Sequence, residues 1–354
     1  MPFWESEIVM VNIGLVGCAH IHTPGFVGNI KKRDNVKVTK AWDPTPSRSQ
    51  RWGGELGAEV VGDVNEIWKD KSIAAVIVCS ETTRHLELVL AGAKAKKHMF
   101  VEKPLGMGSK DSFAMAKALE KAGVIFSTGY FTRGNAPMNF LKEQIEKGTF
   151  GKITRIRGSN CHSGALGDWF KSKPENVAED WRWMADPAVS GVGAFGDLGT
   201  HLLDIMLWLM GDVESVTACL SGGTNRYDNN GIFCDETGEA LLKFKNGAIG
   251  TLAAAWDDVA NPVSLLISGT EAHASIINGK LYLKCEKLGI KDDQPYEQFP
   301  ESVPAGVDSW LNAIAGDATA RVVPVREAAY RPAVMEAMYE GAKKGKWVAP
   351  KSMK

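Results

Sequence analysis

Residues 11–22 read VNIGLVGCAHIH. The apolar run VNIGLV reads as a buried strand, and it enters a turn that opens on Gly17. A dinucleotide fold needs a tight turn at this place, so that helix N–H groups can face a pyrophosphate. The usual G-x-G-x-x-G is reduced here to Gly17, Ala19 and His22. Its position, directly after the first strand, gives it weight. VKVTKAW (36–42), AAVIVC (74–79), HMFVE (98–102) and VIFST (124–128) read as further buried strands. Between them 46–56, 64–69, 83–96 and 109–122 read as helices. Apolar strands alternating with helices predict a parallel sheet covered on both faces.

After about residue 150 the grammar changes. KITRIRGSNC, VESVTACLSG, GEALLKF, AIGTLAAAW, VSLLISG, ASIIN and KLYLKCE are strand-like. Asn246-Gly247 and Asn278-Gly279 are turn signals between several of them. This predicts an open, meandering, mostly antiparallel sheet, with helices near 135–147 and 197–210 on one face. The expected division is a nucleotide-binding α/β unit over 1–129 and an α+β unit over 130–354. A C-terminal helix over 324–344 is free to pack back on the first unit. Pro332 inside it predicts a break or kink.

Bulk composition narrows the classes. The 354 residues suit two domains, and 44% apolar with 23% charged residues is ordinary for a globular protein. A formal charge of −1 gives no reason to expect nucleic acid or a membrane as partner. Cysteines 18, 79, 161, 219, 234 and 285 form no CxxC pair, which points to a reducing compartment, the cytoplasm. The opening MPFWESEIVM has no basic n-region, so residues 1–9 read as a short extension rather than a secretory signal.

Several residues suit chemistry. Asp43 ends the second strand, where an acid accepts hydrogen bonds from an adenosine ribose and repels a 2′-phosphate. That favours NAD over NADP, with Arg48 nearby; an Asx turn before Pro44 is the other reading. His20 and His22 are spaced like metal ligands, but no third ligand is apparent and no metal is expected. Lys103, in Val101-Glu102-Lys103-Pro104, falls at the carboxyl end of a parallel strand, where it can hold a reacting oxygen. Pro104 is a candidate for a cis peptide. In GVGAFGDLGTHLLDIMLWLMG (191–211), Asp197, His201 and Asp204 share one helix face. A histidine between two carboxylates suits proton transfer, with Asp204 as a buttress. Trp169, Trp181 and Trp183 cluster with His162 and Arg182, as apolar platforms and polar readers for a sugar.

A reduced glycine turn, Glu102-Lys103-Pro104 and the Asp197-x-x-x-His201-x-x-Asp204 helix together resemble the Gfo/Idh/MocA family of oxidoreductases. Ser80-Glu81-Thr82 with His85, Gly129-Tyr130 with Arg133, and Trp181-Arg182 leading into Asp186-Pro187 extend the resemblance over nearly the whole chain. It implies a Rossmann domain, a second α/β domain with a large open sheet, a nicotinamide cofactor, and a sugar or cyclitol substrate. It implies Lys103, Asp197 and His201 as the catalytic set. Cofactor contacts are expected from Gly17, Ala19, His20, His22, Asp43, Arg48, Ser80, Glu81, Thr82, His85, Glu102 and Lys103. Substrate contacts are expected from Tyr130, Arg133, His162, Trp169, Trp181, Arg182, Asp197 and His201. The chain departs from the family at Ala19 and His22, and at Glu81-Thr82 where many relatives have Thr-Pro. The reading is an NAD-dependent dehydrogenase of a neutral sugar, glycoside or cyclitol. His201 accepts the proton, Asp197 relays or orients, and Lys103 holds the oxygen. Two alternatives remain open: glycoside cleavage through transient oxidation by tightly held NAD, and a non-catalytic sensor. The open sheet predicts a homodimer or homotetramer.

Overall fold

The buried runs of the first third become six parallel strands in a computed structural model describing residues 10–167, 169–170, 176–224, 226, 233–260 and 263–353. The expected extension over 1–9 lies outside the described residues. The strands are β1 (Val11–Val16), β2 (Val36–Trp42), β3 (Glu59–Val60), β4 (Ala75–Val78), β5 (His98–Val101) and β6 (Phe126–Thr128), in the order β3-β2-β1-β4-β5-β6. β4 is buried at all of its positions, as a strand covered on both faces must be. The order reverses direction between β1 and β4, and open α/β sheets bind ligands at such a switch point.

Helices α1 (Thr23–Ile30), α2 (Pro46–Glu55), α3 (Asn65–Lys69), α4 (Thr82–Lys94) and α5 (Ser109–Ala122) connect these strands. α1, TPGFVGNI, has two glycines and a proline in eight residues. Its helical propensity is poor, and burial of Thr23, Val27 and Ile30 holds it instead.

The second sheet has seven strands: β7 (Ile153–Cys161), β8 (Val213–Ser221), β9 (Thr237–Phe244), β10 (Ile249–Ala255), β11 (Val263–Gly269), β12 (Ala272–Ile277) and β13 (Lys280–Cys285). Their order is β13-β12-β11-β7-β10-β9-β8. Two antiparallel meanders therefore flank β7, which pairs in parallel with β10 and antiparallel with β11. A simple meander is the expectation corrected here. The chain between β7 and β10 contains a long helix and two strands, ample for the crossover a parallel pair needs.

The remaining helices are α6 (Ala136–Glu146), α7 (Pro187–Ser190), α8 (Ala194–Met210), α9 (Gly306–Ile314) and α10 (Val325–Lys344). α8 packs on the inner face of the second sheet. Gly158 of β7 permits the close approach, since a Cβ there would meet Leu202 Cδ1 at 2.8 Å. α10 runs without a break through Pro332, contrary to the expectation. Its Ala328 and Ala329 pack in the core beside the first sheet, and Val334, Met335 and Met338 in the core of the second. Burial along its length offsets the one backbone hydrogen bond that proline removes. α9 returns the chain to the first sheet, where Trp310 is fully buried 6.0 Å from the Phe100 ring. No helix of the described residues is long and apolar enough to cross a membrane.

Candidate active site

α8 begins at Ala194, so Asp197 and His201 lie on helical turns rather than on a loop. The helix start is held from outside. Asp235 Oδ2 accepts the Phe195 N–H at 2.7 Å, and the Tyr339 hydroxyl accepts the Gly196 N–H at 3.1 Å. A carboxylate on exposed helix amides is a favourable cap.

Lys103 arrives from the carboxyl end of β5, and the Lys103–Pro104 peptide is cis. Its ammonium donates to Asp197 Oδ1 at 2.6 Å, with the lysine side chain 2% exposed. The indole of buried Trp256, just beyond β10, donates to Asp197 Oδ2 at 3.1 Å. Both oxygens of Asp197 are thus engaged, and neither bond goes to His201. The expected Asp197–His201 relay is replaced by a Lys103–Asp197 pair. Burial would push the Asp197 carboxyl up, but the Lys103 ammonium beside it holds it well below the usual carboxylate range. Burial, then the Lys103 ammonium and His22, push the His201 imidazole well below its ordinary value. His201 is therefore neutral at neutral pH, able to accept a proton, and its buried Nδ1 has no hydrogen-bond partner among the described residues.

These three groups line one chamber of about 550 Å³, a size that takes a small ligand. Trp169 and His162 line it too, with rings 5.0 Å apart. Ser159, Asn160, Ser264, Thr132 and Asn135 add hydroxyls and amides, and Phe131 and Met184 add apolar wall. None of these seven was singled out from sequence, because no motif marks them. Asn135 and Thr132 adjoin Arg133, and the strand residues only face the chamber once β7 and β11 pair.

Other expected contacts are engaged elsewhere. Tyr130 is buried, with its hydroxyl 3.0 Å from Thr200 Oγ1. Arg133 holds Asp204 through two bonds, at 2.6 and 2.8 Å, and Arg331 Nε reaches Asp204 Oδ1 at 2.8 Å. Asp204 thus ties α8 to α10 and to the turn before α6. Arg182 is bidentate on Asp180, and Trp181 packs in a small core with Phe170 and Trp256. None of Tyr130, Arg133, Trp181 and Arg182 lines the chamber.

At the nucleotide end, Gly17 has φ +79°, and a Cβ there would lie 2.6 Å from Ser80 Cβ. The Gly17→Ala variant should melt lower, by about 1–3 kcal/mol, and should lose most of the stabilisation NAD gives. Thermal melts with and without NAD check this; an unchanged NAD shift would contradict it. Asp43 bonds the backbone on both sides of the turn. Its Oδ2 accepts the Cys18 N–H at 2.6 Å and its Oδ1 the Thr45 N–H at 2.7 Å, and its side chain has no exposed area. This is the Asx turn, and Asp43 shapes the glycine turn instead of facing open space. Burial, opposed by those two amides, pushes its carboxyl up to about 6. His85 is also buried, with Nδ1 3.1 Å from Pro104 O and Nε2 3.3 Å from Ser80 O, so it joins the ends of β4 and β5 rather than reaching a ligand. Arg48 pairs with Glu81 at 2.7 Å. Thr82 is buried at the start of α4. The Ala19 carbonyl accepts from the Trp183 indole at 3.0 Å, which brings the second unit over the turn.

Among the described residues, buried Arg48 Nε, Glu81 Oε2 and His201 Nδ1 have no hydrogen-bond partner. Arg48 lies beside Asp43, which holds the turn after β1, so unsatisfied polar atoms stand near that turn and the residues present fit a dinucleotide. His20, His22 and Glu102 bring donor atoms within 4.8 Å of one another. Sequence did not show this grouping, because Glu102 stands 80 positions from His22. In the structure these groups bond each other: His22 Nδ1 lies 2.9 Å from Glu102 Oε1, and the His22 N–H donates to His20 Nδ1 at 3.2 Å.

Known proteins are similar to this chain in sequence and in fold. Residues 11–130 match the family model of oxidoreductases with an NAD-binding Rossmann fold, and residues 138–275 match the GFO/IDH/MocA C-terminal domain. Myo-inositol 2-dehydrogenase of Thermotoga maritima is 33% identical over 254 residues, covering 68% of this chain and 67% of that protein. Levoglucosan dehydrogenase of Pseudarthrobacter phenanthrenivorans is 26% identical over 295 residues, covering 74% and 72%. A structure of levoglucosan dehydrogenase in complex with NADH and levoglucosan superposes with a TM-score of 0.78 at 20% identity, over 97% of this chain and all of that one, which shows a common fold. The chain therefore belongs to the Gfo/Idh/MocA family of NAD-binding oxidoreductases.

Proposed function

We propose that the protein is an NAD-dependent dehydrogenase acting on a secondary alcohol of a neutral sugar, glycoside or cyclitol. The observation that carries this is the Lys103–Asp197 pair in one chamber with a neutral His201. Bound NAD supplies the hydride acceptor. Gly17, Ala19, His20, His22, Arg48, Ser80, Glu81 and Glu102, around the ends of the first sheet's strands, would hold it. Lys103 donates to the carbinol oxygen and favours its alkoxide-like form. His201 accepts the hydroxyl proton. Asp197 keeps the ammonium aimed and charged, a positioning role in place of the relay. Trp169 offers an apolar face to a ring, and His162, Asn160 and Ser159 read hydroxyls. The lining carries one ammonium already paired with a carboxylate, which favours a neutral substrate over a phosphorylated one. Arg48 has its charge met by Glu81, which favours NAD over NADP.

Leu241, Ile249 and Ile277 are exposed on the second sheet, and a homodimer or homotetramer would cover this face. We place the protein in the cytoplasm, since all six cysteines are free and five of them buried. Nicotinamide absorbance during mixing with NAD⁺ or NADP⁺ and a panel of neutral pyranoses, glycosides and cyclitols tests the reading. Net reduction with NAD⁺ and one substrate group is expected. No reduction across the panel would overturn it, and would favour bound-cofactor cleavage or sensing.

A further inference from the structure

Oxidation of an alcohol by NAD releases a proton. The carbinol C–H bond breaks and its electron pair leaves with hydrogen to the nicotinamide. The oxygen becomes a carbonyl, and the O–H proton must reach solvent. With cofactor and sugar in the chamber, that proton needs a separate way out.

We propose that His22, oriented by Glu102, carries this proton from the chamber to a second cavity beside it. The inference rests on the dehydrogenase reading above. The side cavity, about 320 Å³, lies between α1 and the start of α9. It shares Ile21, His22 and Phe131 with the chamber. His22 is the one titratable side chain among the described residues that lines both. Lys103, Asp197 and His201 line the chamber alone, and Glu102 and Asp308 the side cavity alone.

The chemistry of the pair suits transfer. Glu102 is fully buried; its Oε2 accepts the Lys103 N–H at 2.7 Å and its Oε1 faces His22 Nδ1 at 2.9 Å. Burial would push the Glu102 carboxyl up, but His22, His20 and Lys103 hold it well below the usual range. An ionised Glu102 can only accept, so His22 Nδ1 carries a proton and donates to it. The His22 side chain is 33% exposed, which leaves the ring open to exchange. Neighbouring His20 is unsuited. It is buried, its Nδ1 accepts the His22 amide, and burial pushes its imidazole down to about 3. The charged and titratable groups facing His22 are His20 on its own turn, Glu102 and Lys103 beyond β5, Asp197 and His201 on α8, and Asp308 on α9.

The test uses the full chain with saturating NAD⁺ and substrate. His22→Ala should lower kcat by about tenfold or more near neutral pH and by less at high pH. Imidazole in the buffer should restore much of the loss. Gly25→Leu should also lower kcat, because Gly25 lines the side cavity and a Cβ there meets nothing within 4 Å. It should blunt the imidazole rescue of His22→Ala in the double variant. Nitrogen NMR of the His22 ring, read without turnover, should find Nδ1 protonated, and Glu102→Gln should abolish that preference. A His22→Ala enzyme with the wild-type kcat and pH profile, or a loss that imidazole leaves untouched, would overturn the proposal, as would a bare Nδ1. If the unsubstituted protein reduces NAD⁺ with no alcohol, the dehydrogenase reading fails first and this inference falls with it.

Discussion

Replacing Lys103 by alanine is expected to lower kcat by about 10²–10⁴-fold while NAD still binds within a few-fold of the parent. In the proposed reaction the ammonium holds the reacting oxygen, and its partner Asp197 lies 2.6 Å away. Removing it has a second consequence. Lys103 is one of the groups that push the His201 imidazole down. Without that cation the base becomes harder to deprotonate, so the residual activity should need a higher pH than the parent. Asp197, left beside only the Trp256 indole, should take up a proton more readily. Steady-state kinetics across pH, with NAD affinity from fluorescence, checks both effects. A Lys103→Ala enzyme that keeps most of its turnover would sink the mechanism, whatever its stability.

Asp204→Ala should produce the largest loss of stability, about 3–5 kcal/mol. Asp204 is 1% exposed and receives Arg133 twice and Arg331 once. Its removal leaves two guanidinium groups without their main partner, and Arg331 is 3% exposed. Glu327 compensates in part, at 2.8 Å from Arg133 and 3.4 Å from Arg331, but its side chain is 40% exposed. The cost falls on the joint between α8, α10 and the turn before α6, so activity should fall through a loosened α8. Calorimetry should show Tm lowered by roughly 6–10 °C, and Asp204→Asn should lose less because shape and one acceptor remain. A Tm within about a degree of the parent would contradict the assignment.

Much of this was legible in the chain because it is local. The strands of the first sheet are short apolar runs, and their parallel order follows from the helices between them. Lys103, Asp197 and His201 were found by position at a strand end and by spacing on a helix. What sequence missed is set by pairing over distance. Glu102 meets His22 because the turn after β1 reaches past β4 to the end of β5. Trp256 reaches Asp197 from the end of another strand, and Asp235 and Tyr339 cap α8 from two separate elements. The backbone bonds of His85 were not legible, and those of Asp43 were one of two readings, for a related reason. A residue at a ligand-facing strand end can as well bond the backbone beside it, and only geometry tells which. Helix α1 was hidden by its glycines. Pro332 misled in the opposite direction, since packing on two cores outweighs one lost hydrogen bond.

The central claim is direct hydride transfer from a substrate carbinol carbon to NAD in the Lys103 chamber. It is tested most directly by supplying the active sugar or cyclitol with deuterium on that carbon and analysing the nicotinamide product. Deuterium at the nicotinamide C4 position, with slower turnover than for the unlabelled substrate and transfer slowed by about 10²–10⁴-fold in the Lys103→Ala protein, is the expected result. Reduced nicotinamide without deuterium, or substrate turnover that leaves no reduced nicotinamide, would contradict it.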